Sequence, residues 1–577
     1  MQLEYKLKIE QPSNHLAHVT IKAKRPASES TLTFFLPSWS PGSYLMREYS
    51  RNIRWVKVLD AKGKRLFFDQ THKGQWKIDF EHPELKPSTD EFTVEYEIYC
   101  HELTVRTSHI DESHAFIHGP SVFMGVMGHE MLNPTLEIEF PALWSKVSTG
   151  LKDISEKREI FKYEAPDYDL FIDAPIEIGC HETDGFMAHG KPHELAFYGP
   201  TIKHPHNLKK DMQTIVEYTA ELMGGVPYQD KYTFITHFLP GKFGGLEHCN
   251  STALHFDSFK LNERKGYIRW IELVAHEYFH TWNVKRIRPK ELGPFDYVNE
   301  GYTKMHWLTE GLTSFMDQLI VLRTDLVTLP EYAEMMKENF NAYFGTPGRR
   351  FHSLEDSSFN AWIKLYRPDE NSKNSSVSYY LKGGLVFFGL NIMLAEKGKG
   401  IDDLLKLLWK RYLDNPAEGM TALEVYSMVE EIGGAEIRNK FESMITTTEE
   451  VDYETLCKQM GFEFVWTSED DKAWLGTDCT FNGEQIIIDK VTLDSPAYKS
   501  GLNAGDEILA IDGMRILKPR YSELGKILQV DKPYVFTISR LDVLHTIEVI
   551  PGTEPRKLKE IKILDEGKAA RVLLGKH

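Results

Sequence analysis

Two imidazoles and a carboxylate stand together at positions 276–280, where the chain reads His-Glu-Tyr-Phe-His. On a helix, residues i and i+4 share a face, so His276 and His280 can aim at one point in space and Glu277 can lean over it. A metal held there by three protein ligands keeps one position open for water, whose pKa falls from about 16 to about 7, and Glu277 is placed to take the proton. In a chain with 23 histidines, a surface helix carrying two of them would read the same, so the pentapeptide needs a third ligand. Glu310 offers one, in the stretch "MHWLTEGLTSFMDQL". Its neighbours Trp307, Leu308, Leu312 and Phe315 are apolar at helical spacing, which marks a buried helix, and a buried carboxylate without a partner is costly. The segment "RIRPKELGP" gives room for a turn and an antiparallel return, with Pro289 and Pro294 expected to end the first helix.

The elements that must hold these residues can be read from periodicity. At 577 residues, and roughly 100 to 200 residues per domain, three or four domains are expected. Hydrophobic residues make up 41% and aromatic residues 12%, the composition of a packed globular chain. "HLAHVTIKAK", "EFTVEYEIYC" and "TLEIEF" alternate apolar and polar residues with period two, so the N-terminal part reads as all-β. From about 206 the period becomes helical. Helices are predicted over 207–225, 268–283, 304–322, 379–396 and 401–412, with a strand at "YTFITHFLPG" between the first two. Near 461 the texture returns to short strands and Gly/Asp turns, ending about 553, and a mixed-charge segment that reads as a tail follows.

"LVAHEYFHTWNVKRIRP", "HWLTEGLTSF", "FGGLEHCNST" and "SYYLKGGLV" together resemble the glycyl aminopeptidase family, PDZ-bearing relatives of aminopeptidase N in the gluzincin group of metallopeptidases. The resemblance implies a multidomain α+β fold. An N-terminal β domain occupies 1–168, a thermolysin-like, mainly helical zinc-peptidase domain 169–456, a PDZ domain 461–553 and a C-terminal tail 554–577. It implies one zinc per chain on His276, His280 and Glu310, with Glu277 as general base. Glu247, after Gly244 and Gly245, matches the glutamate that holds a substrate's free α-amine, although Leu246 and His248 depart from the usual neighbours. Tyr380, spaced correctly from Lys382 and Gly383, matches the tyrosine that donates to the oxyanion, with Tyr379 as the alternative. "WLGT" followed by "IIIDKVTLDSPAYKSGLNAGDEILAIDG" resembles a PDZ domain, in which backbone N–H groups around Leu475 and Gly476 would capture a peptide's C-terminal carboxylate and the sheet edge would pair with the peptide.

Charge and cysteine usage narrow the partners. With 68 Lys+Arg against 85 Asp+Glu, the net charge of −17 opposes nucleic acid and anionic membranes. The five cysteines are scattered and form no CxxC pair, which suits a reducing compartment. The first residues already alternate as a strand and no apolar run reaches the roughly 18 residues of a membrane span, so a soluble, cytoplasmic protein is expected. The reading is a zinc aminopeptidase acting on peptides with a free N-terminus, preferring small first residues such as Gly or Ala by resemblance. The alternatives are a zinc endopeptidase and a PDZ-mediated peptide-binding protein with a vestigial metal site.

Overall fold

The computed structural model describes residues 1–157, 160–200, 204–467, 472–521 and 523–575. The chain forms two compact units whose segments alternate along the sequence. The first contains 1–303, 316–326 and 405–422, and the second contains 304–315, 327–404 and 423–577.

In the first unit the period-two pattern is realised directly. Leu3, Tyr5 and Leu7 are buried along strand Leu3–Lys8, which pairs antiparallel with Leu16–Lys24 and parallel with Pro134–Glu139. These strands are part of a seven-stranded sheet, and a four-stranded sheet that includes Thr31–Phe35 and Gln75–Asp79 contributes Phe34 and Trp76 to the same core. Strand Ile176–Gly179 pairs with Lys146–Thr149 and His114–Ile117 in a third sheet. The N-terminal β region therefore runs past the boundary expected at 168, because a short strand buried at every position carries no alternation to announce it.

A five-stranded mixed sheet follows. Its order is Glu182–Ala188, Lys191–Tyr198, β1 (Tyr232–Phe238), then β3 (Ser251–Phe256), with β2 (Phe243–Glu247) at the edge, antiparallel to β3. Helix α1 (Arg264–Phe279) packs on this sheet, with Trp270 edge-on to Phe256 at 5.4 Å between ring centroids. It ends at Phe279 with His280 as its C-cap, before the expected 283 and well before Pro289. The backbone turns at 280–283 instead, and this turn brings the Asn283 carbonyl back to His280.

In the second unit, residues Trp307–Gly311 form a π-helical turn that runs straight into α2 (Leu312–Arg323), whose residues from 316 onward are counted with the first unit. Helix α3 (Tyr379–Ala395) crosses this turn at very close range, since a Cβ on Gly311 or Gly383 would lie 2.7 Å from the other residue's Cα. The PDZ sheet has the order Thr477–Asn482, Gln485–Val491, Glu507–Ile511, Tyr534–Arg540, Val543–Val549 around a core that includes Ile488, Ile508 and Phe536.

The segment expected to be a tail is structured over its described residues, 554–575. Strand Leu558–Ile563 pairs with Phe462–Trp466, Asn341 brackets Leu558 through its backbone N–H and carbonyl (2.7 and 2.8 Å), and helix Glu566–Leu574 starts at an Asp565 cap. Asn391 of α3 donates to the Val572 carbonyl at 3.0 Å. No helix among the described residues is long and apolar enough to cross a membrane.

Candidate metallopeptidase site

Helix α1 delivers the two histidines with their rings edge-on, 4.6 Å apart between centroids. Each ring has its Nδ1 occupied by an acceptor. Asp317 Oδ2 takes the His276 Nδ1–H at 2.8 Å, and the Asn283 carbonyl takes the His280 Nδ1–H at 2.6 Å. A carboxylate and a carbonyl can only accept here, so Nε2 of each ring is left as the lone-pair donor. This is the tautomer a metal-binding imidazole needs, with an outer partner fixing ring orientation. Two such nitrogens fit zinc. Burial pushes the Asp317 carboxyl above its ordinary range, while the bond from His276 pulls the other way.

Glu277 and His280 are buried, with His276 at their side half-covered. Glu247, Glu277 and His280 each present an atom within 4.8 Å of the others. Glu247 is only 4% exposed, and its Oε1 has no hydrogen-bond partner among the described residues. The two glycines before it act differently from each other. Gly244 has φ +142°, a conformation that favours glycine. Gly245 has no side chain because the Glu277 carboxylate occupies the place where its Cβ would go. The strand thus makes room for the candidate base, a role beyond the close approach of a peptide backbone expected for both residues. Arg106 Nη2 donates to the Gly245 carbonyl at 3.2 Å and steadies this edge.

Glu310 lies on the π turn and is 2% exposed. π turns recur at functional sites, where they re-aim a side chain. The turn continues into α2, which carries Asp317 seven residues later. Tyr379 and Tyr380 open α3. Tyr379 is fully buried beside His306, at 5.0 Å between centroids, whereas Tyr380 is partly exposed. Burial lowers the Lys382 ammonium to about 8 and holds His306 at about 4, hence neutral at pH 7.

In the PDZ domain, Leu475 accepts from the Ala497 N–H through its carbonyl (2.9 Å), and Gly476 has φ +80° with Ser495 where a Cβ would be. The strand that follows, Thr477–Asn482, is a sheet edge. It is bridged by Tyr521, whose hydroxyl lies 3.0 Å from Thr477 Oγ1 and 2.9 Å from Cys479 Sγ.

Sequence reasoning does not reach the Asp317 and Asn283 partners. Asp317 gives a faint signal as the single acidic residue in the apolar stretch after Glu310. The Asn283 carbonyl, a backbone group, gives none.

Comparison with known families and structures assigns the chain's domains. The M61 peptidase N-terminal domain matches residues 4–180, M61 glycyl aminopeptidase matches 269–386, and a PDZ domain matches 451–524. Curated protein sequences give no match. Among solved structures, an aminopeptidase N family protein from Idiomarina loihiensis is 26% identical with a TM-score of 0.92, covering 99% of this chain and 100% of its own. A two-domain M1 zinc metallopeptidase variant bound to L-tryptophan is 12% identical with a TM-score of 0.50, over 78% of this chain and 95% of its own. An M1 zinc metallopeptidase from Deinococcus radiodurans is 13% identical with a TM-score of 0.49, over 78% and 94%. With both of the family's domains in order, followed by a PDZ domain, the chain belongs to the M61 glycyl aminopeptidase family.

Proposed function

We propose that the protein is a zinc aminopeptidase that removes the N-terminal residue of peptides. One observation carries this reading: both motif histidines are fixed in the metal-binding tautomer, with carboxylate oxygens of Glu277 and of the buried Glu247 within 4.8 Å of His280 and of each other. His276 and His280 are the first two ligands. Glu310 is the third, supported by its burial and by the helical run it shares with Asp317, in which i and i+7 fall on one face. A bound zinc ion supplies the positive charge that polarises the scissile carbonyl and acidifies water.

The chain's own groups do the rest. Glu247 accepts from the substrate's α-ammonium. One extended residue spans about 3.4 Å, so an amine held at Glu247 leaves room for a single residue before the scissile carbonyl reaches Glu277. That spacing favours an exopeptidase over an endopeptidase. Glu277 takes a proton from the attacking water and returns it to the leaving amine. The Tyr380 hydroxyl donates to the oxyanion, and its partial exposure favours it over the fully buried Tyr379. Leu475 and Gly476 are the candidate carboxylate loop of the PDZ domain, beside a strand edge that Tyr521 now bridges. The family name carries an expectation of small first residues, Gly or Ala.

The test is a panel of aminoacyl anilides and peptides, free and acetylated at the N-terminus, assayed with and without a chelator. Release of the first residue from free substrates only, abolished by the chelator, is expected. Equal cleavage of acetylated peptides would establish an endopeptidase. No cleavage by zinc-loaded protein would favour a binding protein with a vestigial site.

A further inference from the structure

Three more metal-ligating side chains meet in the first unit, away from the helix that carries His276 and His280. Strands His109–Ile110 and His114–Ile117 pair antiparallel across a tight turn. Asp111 Oδ1 holds that turn, accepting from the backbone N–H groups of Ser113 (2.7 Å) and His114 (3.2 Å) and from the Ser113 hydroxyl. Asp111 lies two residues beyond His109 and opposite His114, whose carbonyl takes its N–H at 3.0 Å, so the pleat puts all three side chains on one face. A ring nitrogen of each histidine and a carboxylate oxygen of Asp111 lie within 4.8 Å of one another. His109 Nε2 and Asp111 Oδ2 are 3.0 Å apart, close to the roughly 3.3 Å between two ligands of a tetrahedral zinc with bonds of about 2 Å.

His114 is prepared as a ligand. It is 1% exposed, and its Nδ1 lies 2.8 Å from Glu177 Oε1. A carboxylate only accepts, so the ring proton is on Nδ1 and Nε2 keeps its lone pair. That Nε2 is buried and has no partner among the described residues, a state that native structures rarely leave unexplained. Asp317 fixes His276 in the same way at the catalytic site. The His114 ring is further held by stacking on Tyr198 at 3.5 Å between centroids, and Glu177 by His237 at 2.9 Å. His109 Nδ1 is buried without a partner among the described residues, so moving the ring proton there frees Nε2 for an ion and breaks no other bond. Burial lowers His109, which is therefore neutral at pH 7. Burial raises the Asp111 carboxyl, but hydrogen bonds from Ser113 and His109 outweigh it and hold the group below its ordinary range, hence charged. The Asp111 side chain is 31% exposed, which gives an ion a way in.

We propose that His109, Asp111 and His114 hold a second divalent metal ion, zinc by the chemistry of two imidazoles and one carboxylate, with water in the fourth position. Its role is structural, tying the end of the hairpin to the buried Glu177. Asp111 shares its charge with the turn, so this site fills after the one at His276 and His280, and turnover does not depend on it. The inference does not rest on the aminopeptidase reading.

The experiment is a calorimetric titration of metal-free protein with zinc, with the bound metal counted by mass spectrometry. Two zinc ions per chain are expected, the second weaker. Asp111→Asn keeps an acceptor for the turn and removes the charge. It and His109→Gln should each weaken the second ion at least tenfold, leaving the first ion and the turnover at one zinc per chain within about twofold of wild type. His276→Ala should lose the tighter ion and keep the weaker. Zinc beyond one equivalent should raise the urea midpoint of wild type and leave that of Asp111→Asn unchanged. A single zinc in the wild type, or a second ion bound by both hairpin variants as tightly as by wild type, would overturn the proposal. If the zinc-loaded protein cleaved nothing, the aminopeptidase reading would fall and the same counts would still decide this site.

Discussion

Replacing Glu247 by alanine should separate substrates by the state of their N-terminus. The carboxylate is 4% exposed, has an oxygen without a partner and stands within 4.8 Å of Glu277 and His280. An ammonium brought to it makes a charge-assisted hydrogen bond in a largely desolvated place, which contributes about 1.5 to 3 kcal/mol. At about 1.36 kcal/mol per decade, that is a loss of about 10- to 150-fold in kcat/KM for a peptide with a free N-terminus. Any residual activity on the acetylated peptide has no ammonium to lose and should change less than twofold. Glu247→Gln keeps the volume beside Gly42, where a Cβ would lie 2.5 Å from the carboxylate, and should fall between wild type and alanine on the free peptide. The assay is steady-state kinetics on matched free and acetylated peptides, with a urea midpoint for each variant as a check on folding. Equal losses on both substrates would refute the reasoning and make Glu247 a structural residue.

Glu277→Gln keeps the shape beside Gly245 but cannot take a proton, so turnover should fall by about 10²- to 10⁴-fold while zinc content, read by metal analysis, is retained. Asp317→Ala removes the acceptor that fixes the His276 tautomer and should weaken zinc binding about 10- to 100-fold in a chelator competition; an unchanged Kd would show that ring packing alone orients His276. Glu177 is fully buried between His114 (2.8 Å) and His237 (2.9 Å), and against the opposing effect of burial these partners hold its carboxyl down at about 2. Its folded pKa is depressed, so its contribution is complete above about pH 4.5 and is lost as pH falls toward 2. Glu177→Gln should therefore lower stability by about 3 kcal/mol at pH 6 and by little near pH 2, read as urea midpoints across that range.

The parts of the site that are legible in the sequence are those governed by local spacing. His276, Glu277 and His280 follow from one helical turn, and Glu310 stands out because its neighbours Trp307, Leu308, Leu312 and Phe315 are apolar and all prove buried. What stays hidden depends on contacts between distant segments. Gly245 reads as room for a peptide, yet its missing side chain first accommodates the Glu277 carboxylate, which arrives from α1. Strand Leu558–Ile563 reads as a tail because its partner, Phe462–Trp466, is far upstream and the register shifts at Val465/Trp466, which blurs the alternation. The end of α1 comes earlier than its prolines suggest, because those are conspicuous in a sequence whereas the turn at 280–283 is held by a backbone carbonyl. His114, Glu177, His237 and His255 join into one buried hydrogen-bonded chain from four different strands, and no spacing rule connects them.

The most direct measurement is a zinc titration of metal-free protein, following release of the first residue from a peptide with a free N-terminus. Activity should rise linearly and stop at one zinc per chain, and Glu310→Gln should require a much higher free zinc concentration to reach its own plateau. Cleavage by the metal-free protein, or a wild-type titration curve unchanged in Glu310→Gln, would contradict a catalytic zinc held by His276, His280 and Glu310.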